Sequence, residues 1–115
     1  MKNNFGDKAR LHHILDAIIE IENYTKNKSN DDFFSNSMFQ SACIRQLEII
    51  GEAANRITDE IKLKSVNIKW QEIIGSRNIL IHEYFGVDLD IVWEIIQTDI
   101  PYFKIQIKSL LKRFF

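Results

Sequence analysis

Apolar residues recur along this chain at the three- and four-residue spacing of a helix, with no sustained alternation of the kind a strand needs. Leu11, Ile14, Leu15, Ile18 and Ile21 form one stripe, which predicts a helix from about Asp7 to Tyr24. The polar run Lys26–Asp32 has no period and reads as a loop, followed by a short turn around Phe33 and Phe34. A second stripe, Phe39, Cys43, Leu47, Ile50, Ala54 and Ile57, predicts a long helix from Ser37 to Ile57. Ala42, Gly51, Ala53 and Ala54 are small and permit close approach by another helix. A glycine inside a helix costs roughly 0.5–1 kcal/mol relative to alanine, so Gly51 implies a packing requirement. Arg45, Glu48, Glu52 and Asn55 fall on the opposite side and read as a solvated face with local ion pairs.

The remaining elements are shorter. Thr58 and Asp59 end the second helix or cap a brief one through Val66. Trp70 starts a third main helix reaching Tyr84, and Gly86 suits its C-terminal cap. Asp88 is a suitable N-cap for a fourth, carrying Leu89, Val92, Trp93 and Ile96. Thr98 or Asp99 can cap again, and Pro101 fits a first helical turn. A fifth helix runs from Ile100 to about Arg113. These elements predict an all-α, up-and-down bundle of four to five main helices in a single domain, 1–115.

Composition narrows the class. Hydrophobic residues at 45% and charged residues at 27% match a globular chain and exclude a disordered one. The net charge of -1 gives no bulk basic excess of the kind duplex binders carry, so any nucleic-acid site must be a local cluster. Lys104, Lys108, Lys112 and Arg113 read first as a solvated helix face with cations suitably near a C-terminus. Met1 to Arg10 lacks the apolar region of a signal peptide, and no apolar run reaches membrane-spanning length, so the expected location is the cytoplasm. The single cysteine, Cys43, sits in the apolar stripe and reads as core.

One residue disturbs the pattern. Arg77 falls within the apolar stripe made by Trp70, Ile73, Ile74, Leu80, Ile81 and Tyr84. An arginine is almost never buried without a partner. It either pairs inside the bundle, with Glu48 or Glu52 as candidates, or faces a cleft or a second subunit. His82 lies five residues on, about 140° away in projection on an ideal helix, while Asn78 and His82 share a face. Histidine exchanges protons near neutrality, and arginine can hold a phosphate and stabilise its developing charge. RNA supplies its own nucleophile, the 2′-hydroxyl, so this pair could cleave RNA without a metal. Such cleavage needs both an acid and a base, which makes a homodimer with two facing copies attractive. Other signals are poor. There is no phosphate-binding glycine loop, metal-ligand spacing or nucleophile elbow. His12 and His13 diverge by about 100° and read as exposed helix residues. Phe33, Phe34, Trp70 and Trp93 read as packing residues before base-stacking ones.

The run Arg77-Asn78-Ile79-Leu80-Ile81-His82-Glu83-Tyr84 resembles the Arg-x4-His-x-Tyr motif of HepT-like toxins of the HEPN superfamily. Trp70 to Gly75 before it, Val87-Asp88 to Val92-Trp93 after it, and Arg45 to Ala54 upstream are similar to that family as well. The resemblance implies a helical HEPN bundle that dimerises around a composite cleft and acts as a metal-independent ribonuclease. It implies Arg77 and His82 as the catalytic pair, Asn78 as a polar support, and no cofactor. It further implies that Tyr84 receives adenylate from an MntA-like nucleotidyltransferase antitoxin, which silences the toxin. Two other readings compete. One is a non-catalytic dimeric subunit that binds a nucleotidyltransferase, and the other is a helical interaction domain with a buried Arg–Glu pair.

Overall fold

The computed structural model describes residues 4–75 and 88–115, and those residues are helices and turns with no strand among them. Helix α1 spans Asn4–Thr25, α2 Asn30–Phe34, α3 Ser37–Asn55 and α4 Asp59–Leu63. Residues 70–75 are helical and are labelled α5. Helix α6 spans Leu89–Glu94 and α7 Ile100–Phe114.

The predicted stripes are the core. Leu11, Ile14 and Ile18 of α1 meet Cys43, Leu47 and Ile50 of α3, with Ile107 and Leu110 of α7 closing the third side. Burying each such side chain contributes about 1.5–3 kcal/mol. Gly51 is buried in α3, in keeping with its expected packing role. Polar contacts set the direction of the helices. The Tyr24 hydroxyl near the end of α1 accepts from Gln46 Nε2 at 3.2 Å, whereas Asp7 near its start reaches Thr58 beyond the end of α3. These two helices therefore run antiparallel. Lys104 at the start of α7 donates to Glu22 Oε1 at 2.8 Å and Oε2 at 3.1 Å. The predicted solvated role of this lysine thus gives way to a clamp between α7 and α1, while Lys108 and Lys112 stay exposed.

Local chemistry sets the element boundaries. Asn27 takes the left-handed conformation, φ 61°, that asparagine tolerates after a helix. Part of the predicted loop is in fact α2, because Ser29 and Asp32 form a reciprocal capping box. Accepting the Ser29 backbone N–H holds the Asp32 carboxyl below its ordinary range. Asn36 caps α3 and Thr58 caps α4. Asp88 caps α6 as expected, accepting from Asp90 N at 2.9 Å.

The expected break at Thr98–Asp99 does not occur. Residues Ile95–Asp99 form a π-helical turn that joins α6 to α7 without interruption, and Asp99 stays in the right-handed region with no capping bond. Pro101 has no N–H to donate, and its ring crowds the preceding turn. Widening that turn to π geometry accommodates the ring while the helix continues.

Candidate functional site

The four residues expected to form the site, Arg77, Asn78, His82 and Tyr84, lie outside the described residues. A buried tryptophan precedes them in sequence and another follows them. On the N-terminal side, Trp70 is 4% exposed and packs edge-on against Phe103, with ring centroids 6.0 Å apart. Its indole N–H donates to Ser65 Oγ at 3.0 Å, and that hydroxyl donates to the Ile61 carbonyl at 2.7 Å. On the C-terminal side, Trp93 stacks on Phe33 at 4.7 Å and meets Phe39 edge-on at 6.3 Å. Its indole N–H donates to the Asn30 side chain. A buried tryptophan therefore anchors each flank of the motif, and neither ring is free to stack on a base.

Among the described residues, two of the clefts carry polar groups. The larger, about 550 Å³, lies between α3, the start of α5, the π turn and α7. Leu47, Ile50 and Phe103 give it an apolar wall, and Lys69, Glu72 and Asp99 give it charge. The π turn contributes Ile95, Thr98 and Asp99, an arrangement often found where a helix is deformed for function. The second, about 460 Å³, is an open groove between α1 and α3. Arg10, His13, Arg45 and Arg56 line it together with Glu48 and Glu52.

Other candidates drop out. Cys43 is fully buried, and desolvation pushes its thiol up to about 11, so little thiolate exists near neutrality. His12 and His13 are both exposed on α1, as their spacing implied. Among the described residues, no group of three or more His, Cys, Asp or Glu side chains could hold a metal ion. No described helix is long and apolar enough to cross a membrane.

Sequence reasoning missed two polar residues of α1. Asp7 is 1% exposed, and its carboxylate accepts from Thr58 N at 2.9 Å and from Thr58 Oγ1 at 2.6 Å. This pairing ties the start of α1 to the cap of α4. Its signal was present, since Asp7 sits four residues before Leu11 and seven before Ile14, on the stripe itself. Arg10 stands at the stripe's edge, with a buried Nε that has no hydrogen-bond acceptor.

Comparison with known proteins places this architecture. The family described as Ribonuclease HepT-like matches residues 14–110. A protein of Methanocaldococcus jannaschii whose name provisionally assigns it as an RNase is 41% identical over 88% of this chain and 93% of its own length. The probable ribonuclease HepT of Thermococcus cleftensis is 40% identical over 91% of this chain and 96% of its own. A longer M. jannaschii protein, named for gamma-glutamylcyclotransferase and provisionally for RNase, is 46% identical over 91% of this chain, which spans 47% of it. No solved structure matches.

Proposed function

This chain belongs to the HepT-like ribonuclease family, and from that premise we propose that it is a metal-independent endoribonuclease, the toxin of a toxin–antitoxin pair. The observation that carries the reading is the Arg-x4-His-x-Tyr motif, Arg77 to Tyr84, inside the matched residues 14–110. His82 takes the proton from an RNA 2′-hydroxyl. The 2′-oxygen forms a bond to phosphorus, and the bond from phosphorus to the 5′-oxygen breaks. A second acid returns a proton to that 5′-oxygen. Arg77 holds the phosphate and offsets the charge that builds on it. Asn78 supports the pair. The test is cleavage of transfer and messenger RNA by purified protein in the presence of a chelator, with His82→Ala alongside. Cleavage that requires an added metal, or no cleavage at all, refutes the reading. The latter result would favour a non-catalytic subunit that binds a nucleotidyltransferase.

The acid and the base come from two copies of His82 in a C2 homodimer, the commonest form of self-assembly. Light scattering at micromolar concentration is expected to give twice the chain mass of 13.6 kDa. A strict monomer that still cleaves RNA rules the shared site out.

Tyr84 is the regulatory handle. On a helix it projects only about 20° from Arg77, seven residues earlier. Its unperturbed pKa near 10 suits it poorly to proton transfer at neutrality. An adenylate placed there by an MntA-like nucleotidyltransferase would repel RNA phosphates and obstruct the cleft. Incubated with that enzyme and ATP, the wild type should gain adenylate mass and lose cleavage. Tyr84→Phe should gain no mass and stay active. Adenylate found on another residue disproves the assignment, and an inactive Tyr84→Phe would move the hydroxyl into the catalytic machinery.

A further inference from the structure

The groove between α1 and α3 has a charge pattern unlike that of the whole chain. Among the described lining residues, three arginines, Arg10, Arg45 and Arg56, face two glutamates, Glu48 and Glu52, which leaves one surplus positive charge before His13 is counted. The whole chain carries a net charge of -1. Helical spacing produces the alignment. Arg45, Glu52 and Arg56 are separated by seven and four residues on α3, and Arg10 and His13 by three on α1. Eleven residues from Arg45 to Arg56 span about 16 Å along the axis. The cations therefore form a line and do not converge on one point.

The arginines of the groove's two ion pairs on α3 face solvent. Arg45 lies 3.6 Å from Glu48 and Arg56 lies 3.3 Å from Glu52, and the side chains of both arginines are more than half exposed. Exposed pairs of this kind add little stability. Arg10 differs, because no carboxylate among the described residues pairs with it. Its Nε–H is buried without an acceptor, which is an unfavourable arrangement for a donor. Ile49 and Ala53 give the floor an apolar strip.

We propose that this groove binds the sugar-phosphate backbone of single-stranded RNA, through residues other than those of the cleavage motif. A row of cations over about 16 Å fits successive phosphates better than a single anion. Phosphate oxygens would compete with Glu48 for Arg45 and with Glu52 for Arg56, and would give the Arg10 guanidinium an anionic partner, with riboses resting on Ile49 and Ala53. The proposal rests on the ribonuclease reading, and the two fail in different ways.

The test measures binding by the full chain carrying His82→Ala, so that a labelled single-stranded RNA survives, using fluorescence anisotropy over a salt series. Adding Arg45→Gln and Arg56→Gln should weaken binding about tenfold or more. It should also reduce the slope of log affinity against log salt by about 1.4, since each single-strand phosphate contact contributes about 0.7. Both positions are exposed, so the fold should survive, which circular dichroism checks. Lys108→Gln with Lys112→Gln removes the same charge from α7 outside the groove and should leave the slope intact. With His82 restored, the groove variant should cleave a dinucleotide at the wild-type rate while its KM for long RNA rises. Unchanged affinity and slope overturn the proposal, as does an equal loss in the α7 control. A change in oligomeric mass with RNA affinity intact also overturns it, because the groove would then hold protein. A wild type that cleaves neither long RNA nor the dinucleotide refutes the ribonuclease reading itself.

Discussion

His82→Ala lowers the rate of RNA cleavage by about 10²–10⁴-fold, the usual cost of removing a general acid or base. The far-ultraviolet circular dichroism should remain that of the wild type, because every buried core residue of α1, α3 and α7 is untouched. In a homodimer that draws its acid and its base from two copies of His82, the substitution removes both at once. Mixed dimers make this visible. If each scissile bond needs both histidines, one wild-type and one His82→Ala chain should together cleave far more slowly than half the wild-type rate. A mixed dimer with half the wild-type activity would show that each chain cleaves alone. A His82→Ala homodimer with full activity would remove His82 from the chemistry. Arg77→Ala should also abolish cleavage, but its position amid the apolar residues Ile73, Ile74, Leu80 and Ile81 of the sequence makes a stability change an expected part of that result.

Trp70→Ala destabilises the fold by about 3–5 kcal/mol, the range for deleting a buried aromatic side chain. Trp70 is 4% exposed, its ring meets Phe103, and its indole N–H reaches Ser65. Domains of this kind are stable by about 5–15 kcal/mol in total, so the loss is a large share. In chemical denaturation the midpoint should fall with little change in slope. Trp70→Phe keeps an aromatic ring against Phe103 and loses only the indole hydrogen bond and some area, so it should cost nearer 1 kcal/mol. An unchanged midpoint in Trp70→Ala would mean that the turn between α4 and α5 is held by other contacts. Trp70 stands seven residues before Arg77, so Trp70→Phe should also retain most of the cleavage activity while Trp70→Ala loses it at temperatures where it remains folded.

The amino-acid sequence alone determined the long helices α1 and α3 and which face of each is buried. The stripes of α1 and α3 were legible because each is a property of one helix and its own period, independent of what lies opposite. Cys43 in the core and Asp88 at the cap of α6 were legible for the same local reason. The Arg77–His82–Tyr84 motif is a pattern of the sequence, its residues within eight positions of one another, and lies outside the described residues. The ring of Pro101 was visible too, but not its consequence. The sequence allowed a new helix start there, whereas packing of Ile96 and Ile100 into the same core favours one continuous helix with a π turn. Tertiary structure alone decided the contacts between distant residues. Asp7 meets Thr58 across 51 positions, Trp93 meets Asn30 across 63, and Lys104 meets Glu22 across 82. Polar pairs like these leave little periodic trace. Which carboxylate meets which donor depends on how apolar stripes bring two helices together and at what offset, and that offset is set by side-chain volumes packing at close to crystal density. The Arg10 groove is of the same kind, since its line of cations exists only where α1 lies against α3.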